Sequence, residues 1–199
     1  MSATALNLNE KSFRERKIVK ELLNGVITLM SPPRPQAPHV ESSGGIFGEI
    51  RQYLKRKTCK VFSEIDVFLT EKDNFVPDIS IVCDLNKIKK NGIHGAPDMV
   101  VEILSQSTSK KDRGYKKDVY EASGVKEYWI VDPLNRFIDV FLSKDGKFVL
   151  DETYVHYREE DFADLTDDER KDHKTEIKVS IFDDLVITLE DIFGDLMEF

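Results

Sequence analysis

Cysteine is scarce in this chain: Cys59 and Cys83 are the only two, and they lack C-x-x-C spacing. Neither the framework of a disulfide-stapled secreted domain nor a zinc knuckle is indicated. Long apolar runs are missing too, none approaching the ~20 residues that span a bilayer. The first residues, with polar Asn7, Asn9, Glu10 and Lys11, lack the apolar stretch of a secretory signal. No internal repeat, Gly/Ser linker or low-complexity tract divides the sequence. These absences lead us to expect one domain over residues 1–199, in a reducing cytoplasm.

What is present suits a soluble globular domain, with 40% apolar and 33% charged residues. A length of 199 residues is enough to bury a real core. The net charge of −8 speaks at first against a nucleic-acid partner. Its distribution weakens that objection. Residues 1–150 carry 24 Lys+Arg and 20 Asp+Glu, whereas residues 151–199 carry 5 and 17. Electrostatic attraction depends on the local patch rather than the sum. Basic clusters lie at Arg51–Lys60, at Lys87–Lys90 and at Lys110–Lys117. Most such clusters are solvated faces. The acidic run at 159–172 reads as a solvated loop or edge.

A mixed helical pattern covers residues 10–23, and Asn24-Gly25 is a turn signal. Residues 26–30 read as a strand, followed by an extended connector imposed by Pro32, Pro33, Pro35 and Pro38. Ile46, Ile50, Tyr53 and Leu54 recur at helical spacing within 39–57. Strand-like runs follow at 60–69, 76–83 and 98–104. Ser107, Thr108 and Ser109 can cap a helix running to about Ala122, which Gly124 ends. Strands are then expected at 127–131, 137–142 and 147–155, the last two joined around Lys144-Asp145-Gly146. Short extended pieces at 177–181 and 185–189 precede a terminal helix over 189–197. The fold class is α/β, a mixed central sheet with flanking helices.

Carboxylates inside apolar strands carry the functional signal. Asp78 opens the run Asp78-Ile79-Ser80-Ile81-Val82, and Glu102 lies within Met99-Val100-Val101-Glu102-Ile103-Leu104. A buried acid is costly unless it is paired or binds a metal. Asp98 and Glu102 share a strand face but lie about 13 Å apart, too far for one small ion. The useful pair must come from two adjacent strands, and Asp78 with Glu102 fits. A hard ion such as Mg²⁺ takes one or two carboxylates plus waters and phosphate oxygens, polarises a phosphate and activates water. Lys116, in the basic segment that follows, can neutralise charge on the phosphorus. The pattern points to metal-assisted phosphodiester cleavage. Asp78 as a turn acid, Glu102 as an ion-pair partner and Lys116 as a solvated cation are the bland alternatives. Trp129 reads as core.

The ordered motifs PD, GAPDMVVEILSQSTSKKDRGYKK and YEASGVKEYWIVDP span most of the chain, with NGVITLMSPP and His39 before them and IFDDLVITLEDIF after. Together they make the sequence similar to the Uma-two family of restriction endonucleases, a branch of the PD-(D/E)XK nuclease superfamily. The resemblance implies a restriction-endonuclease-like core and Mg²⁺- or Mn²⁺-dependent hydrolysis of DNA. It matches Asp78 to the acid of the PD motif and Glu102 to the acid of the (D/E)XK strand. Where that motif would place lysine this chain has Leu104, so the resemblance moves the role to Lys116 on the following helix. Lys117, about 100° around the helix, points elsewhere. By the same resemblance Glu49 is a candidate extra metal ligand, with Glu41 as competitor. His39 is a candidate substrate contact, as are Lys110, Lys111 and Arg113 of the basic segment. A homodimer is expected because cutting both strands of a duplex usually takes two sites.

Two other readings share these residues. One is a catalytically weak or inactive DNA-binding or assembly domain on the same fold, suggested by the missing strand lysine and the acidic C-terminal part. The other is action on RNA.

Overall fold

The computed structural model describes residues 19–30, 36–105 and 107–197. Its first elements are β1 (Val19–Leu23), β2 (Val26–Met30) and α1 (Ala37–Tyr53). Five short strands follow: β3 (Lys60–Ser63), β4 (Val67–Phe68), β5 (Asn74–Phe75), β6 (Ile79–Val82) and β7 (Ile88–Lys89). Then come β8 (Gly92–His94), β9 (Met99–Ile103) and a helical segment. That segment consists of α2 (Ser109–Lys111), a wide π-type turn at Asp112–Lys116 and α3 (Lys117–Ser123). The chain continues through β10 (Glu127–Asp132), β11 (Phe137–Lys144), β12 (Lys147–Val155), α4 (Glu159–Ala163) and α5 (Asp167–Asp172). It closes with β13 (Glu176–Lys178), β14 (Val186–Thr188) and α6 (Leu189–Phe193).

The main sheet has the order β12-β11-β10-β9-β6-β3. Only β9 and β10 run parallel in it; the other pairs are antiparallel. Every residue of β9 is buried, as befits a strand covered on both faces. Alternation sorts its side chains. Met99, Val101 and Ile103 pack with Ile46, Ile50 and Leu54 of the α1 side. Val100 and Leu104 pack on the opposite face with Phe75, Tyr120 and Tyr128. Glu102 has the parity of this second face. A second sheet, β2-β1-β5-β4-β8-β7, lies beside the first. It hands the chain from β5 through Val76-Pro77 into Asp78 and β6.

Local chemistry explains the boundaries. Pro38 occupies the first turn of α1, where its missing N–H costs nothing. Gly124 ends α3 at φ 91°, a left-handed conformation open to glycine. Asp145 and Gly146 take φ 53° and 77° in the two-residue turn between β11 and β12. Trp129 is fully buried and donates its indole N–H to Glu127 Oε1 at 2.7 Å.

Several expectations need correction. The helical pattern over 10–23 is a strand at Val19–Leu23, because pairing with β2 overrides a weak local pattern; residues 10–18 lie outside the described residues. Pro32, Pro33 and Pro35 also lie outside them, whereas Pro38 opens a helix rather than extending a connector. The run 60–69 divides between the two sheets as β3 and β4, whereas 76–83 narrows to β6 of the main sheet. The acidic run 159–172 contains two short helices, the second opened by a capping box of Thr166 and Glu169. Cys59 and Cys83, whose spacing does not indicate a bridge, form a disulfide. They flank the Lys60–Val82 rung of β3 and β6, so antiparallel register brings them opposite each other. Among the described residues no helix is long and apolar enough to cross a membrane.

Candidate active site

The register of β6 against β9 pairs Ile79 with Val101 and Ser80 with Val100. One further rung places Asp78 opposite Glu102, where facing side chains stand roughly 5 Å apart. Asp78 is fixed by its backbone neighbours: Oδ2 accepts the N–H of Ile103 at 2.6 Å. Its Oδ1 lies 3.2 Å from Nε2 of His39, which α1 presents from its first turn. Both groups are about one-fifth exposed, so they form the mouth of the site.

Beneath them the site is closed. Glu102, Lys116, Glu21 and Asp112 have side chains no more than 4% exposed. The Lys116 ammonium stands 2.9 Å from Glu21 Oε1, 3.1 Å from Glu102 Oε1 and 3.4 Å from Asp112 Oδ1. Three carboxylates thus face the three protons of one ammonium. Tyr120 adds a hydrogen bond to Glu102 Oε1 at 2.8 Å. The wide turn at Asp112–Lys116 brings this about, with Gly114 leaving helical geometry at φ −115°, ψ −107°. Tyr128 buttresses the turn by donating its hydroxyl to the Asp112 carbonyl at 2.9 Å.

The electrostatics follow from burial and charge. Burial pushes the Glu102 carboxyl well above its ordinary pKa, and neighbouring Asp112, Asp78 and Glu21 add to the rise while Lys116 opposes it. Asp112 is raised for the same first reason. Burial alone would lower Lys116, but Glu102, Asp112 and Glu21 outweigh it and keep the ammonium protonated. His39 is likewise raised, since the hydrogen bond and charge of Asp78 overcome its burial.

Hard oxygen donors suit a hard divalent ion, and both Glu21 Oε2 and the Asp112 oxygens are buried without a hydrogen-bond partner. Among the described residues no three of His, Cys, Asp and Glu form a ready cage. Mg²⁺ commonly keeps several waters and takes only one or two carboxylates, so Asp78 and Glu102 fit it.

The structure therefore gathers Asp78, Glu102, Lys116 and His39. It does not gather Glu49, which lies half-buried some 15 Å along α1 from His39. Glu49 makes no hydrogen bond or ion pair among the described residues. The additional acids at the site are Glu21 and Asp112, both missed from sequence. Asp112 had a usable signal in its i,i+4 spacing from Lys116; Glu21 had none. Leu104 is buried core. Asp98 accepts from the Cys83 N–H and Lys126. Lys110 is exposed and Lys111 half-buried. Arg113 pairs with Asp139 at 2.8 Å and lies over Phe137.

Residues 6–170 match the family described as "Uma2: Putative restriction endonuclease". The chain belongs to the Uma2 family. A structure from Anabaena variabilis, described as "a putative nuclease belonging to DUF820", superposes with a TM-score of 0.65 at 21% identity, covering 94% of this chain and 97% of that one. That likeness is one of fold, and the fold is restriction-endonuclease-like. The uncharacterized protein slr1290 of Synechocystis is 31% identical over 85 residues, 42% of this chain. The match spans 45% of that curated relative, under half its length.

Proposed function

We propose that this Uma2 chain is a divalent-metal-dependent endonuclease that hydrolyses DNA phosphodiester bonds. The observation that carries the reading is Asp78 standing across from Glu102 on adjacent strands, with Lys116 3.1 Å from Glu102. A Mg²⁺ or Mn²⁺ ion held by these two carboxylates would polarise the scissile phosphate and lower the pKa of water. The protein's own contribution is orientation. Ile103 N–H aims Asp78, and Tyr120 with Lys116 aims Glu102. His39 presents a proton at the mouth, where it can meet a phosphate oxygen. The positive charge of Lys116 offsets charge developing on phosphorus.

The test is cleavage of supercoiled plasmid with Mg²⁺ or Mn²⁺. Asp78→Ala, Glu102→Ala and Lys116→Met should each lose about 10³-fold or more in rate. No metal-dependent cleavage, or undiminished cleavage by the Asp78 and Glu102 variants, would sink the reading. A parallel RNA substrate decides between the two nucleic acids. The reading includes a cytoplasmic homodimer, and sedimentation showing only monomer at micromolar concentration would remove the dimer.

One observation favours a second reading. The Lys116 ammonium lies within 3.4 Å of three carboxylates, which suits a domain that binds DNA without cutting it. DNA retention with no metal-dependent cleavage would select it.

A further inference from the structure

Glu21 is a buried acid outside the main sheet. It sits in a five-residue strand of the neighbouring sheet and is 1% exposed. A neutral residue would pack there without the cost of burying a charge. Yet Glu21 is aimed with care. Its Oε1 accepts the backbone N–H of Val76 at 3.0 Å, two residues before Asp78. The same oxygen is the nearest of the three carboxylate oxygens to the Lys116 ammonium, at 2.9 Å. Its Oε2 is buried with no hydrogen-bond partner, and an unmet buried acceptor is costly.

These facts bear on a conflict inside the proposed metal site. Glu102 is at once a candidate ligand and a partner of Lys116. A divalent ion and a buried ammonium repel each other and compete for that carboxylate. If Glu102 turns to the ion, the ammonium must find acceptors elsewhere. Asp112 stands farthest from it, at 3.4 Å. Glu21 is nearer and is oriented from the backbone by the Val76 N–H.

We propose that Glu21 is a positioning residue of this site, which retains the Lys116 ammonium beside the strand end when Glu102 is given to a divalent ion. This rests on the metal-dependent reading above. Glu21 touches neither phosphate nor metal in this role; it acts through Lys116. Without it the ammonium stays on Glu102 and excludes the ion.

A double-mutant cycle on Mn²⁺ affinity tests the idea, using the full chain without DNA and isothermal titration calorimetry. Glu21→Gln keeps the shape and an acceptor for Val76. It should bind Mn²⁺ about 10-fold more weakly than the parent, while Lys116→Met, with the competing cation removed, should bind about 10-fold more tightly. In the Lys116→Met background, Glu21→Gln should change affinity less than twofold. Glu21→Asp, too short to reach both partners, should act as Glu21→Gln does and serves if that variant fails to fold. With plasmid, Glu21→Gln should lower kcat and leave KM for DNA nearly unchanged. Parent-like Mn²⁺ affinity in Glu21→Gln overturns the proposal. So does an equal loss with and without Lys116, which would make Glu21 a ligand or a packing residue. Parent protein that binds no Mn²⁺ at all overturns the metal-dependent reading as well, so the two failures are distinct.

Discussion

Asp78 accepts the backbone N–H of Ile103 at 2.6 Å, which fastens the acid ahead of β6 to the residue that follows Glu102 on β9. The two carboxylates are thereby set by the register of β6 against β9, one residue before β6 begins, and by one short hydrogen bond. Placement on strands is more exact than placement on loops, and charge chemistry at a phosphate needs that exactness.

The other oxygen of Asp78 makes folding pH-dependent through His39. The folded-state pKa of His39 lies above 6.5, since the hydrogen bond and charge of Asp78 outweigh its burial. A raised histidine contributes stability that is full below its unfolded value and is lost as pH rises through the folded one. His39→Gln should therefore lower the Tm by a few degrees at pH 6 and by much less at pH 9. Equal losses at both pH values would show that the ring acts by packing alone.

Glu102 carries the opposite sign. Burial raises its pKa well above 4.5, so folding opposes its ionisation relative to the unfolded chain. Its ionisation costs the fold nothing below pH 4.5, and the cost grows as pH rises towards the folded pKa. Glu102→Gln, which cannot ionise, should be inactive yet gain in stability relative to the parent as pH rises above 4.5, with the gain vanishing in acid. A lower Tm at pH 8 would mean that the pair with Lys116 outweighs the burial cost.

The bridge between Cys59 and Cys83 closes a separation of 24 residues. Chain-entropy arguments assign about 3 kcal/mol to a loop of that size. Denaturant unfolding with and without a phosphine reductant should show a loss of this order, matched by Cys59→Ser/Cys83→Ser. An unchanged midpoint on reduction would mean that sheet pairing supplies the stability.

Gly45 lets α1 and α6 approach. A Cβ there would stand 2.4 Å from the Asp191 carbonyl oxygen, inside any real contact. Gly45→Ala should destabilise by about 2 kcal/mol or more, because one backbone must move away from the other. Thermal unfolding measures it, and a Tm within one degree of the parent would contradict the tight crossing.

Much of this architecture was legible as pattern. Ile46, Ile50 and Leu54 recur at helical spacing and are the buried stripe of α1. The buried runs of β9 and β10 were readable as short apolar segments, and Gly124 and Asp145-Gly146 marked their turns correctly. Period and turn chemistry are local properties, so they survive in one dimension. The strand at Val19–Leu23 was not legible, since its only strong reason to be extended is its partner β2.

The site divides along the same line. Residue order singled out Asp78 and Glu102 as costly charges in apolar strands, and the family resemblance added Lys116 in place of the lysine that Leu104 cannot supply. That Asp78 faces Glu102 depends on the antiparallel register of β6 and β9, which no local pattern specifies. Glu21 reaches Lys116 from another sheet, far away in sequence, and Glu49 stays outside although it lay on the expected helix. Composition determines which charges the protein must bury; the pairing of distant strands decides which of them share a proton or an ion, because Coulomb energy depends on distance in space and not along the chain.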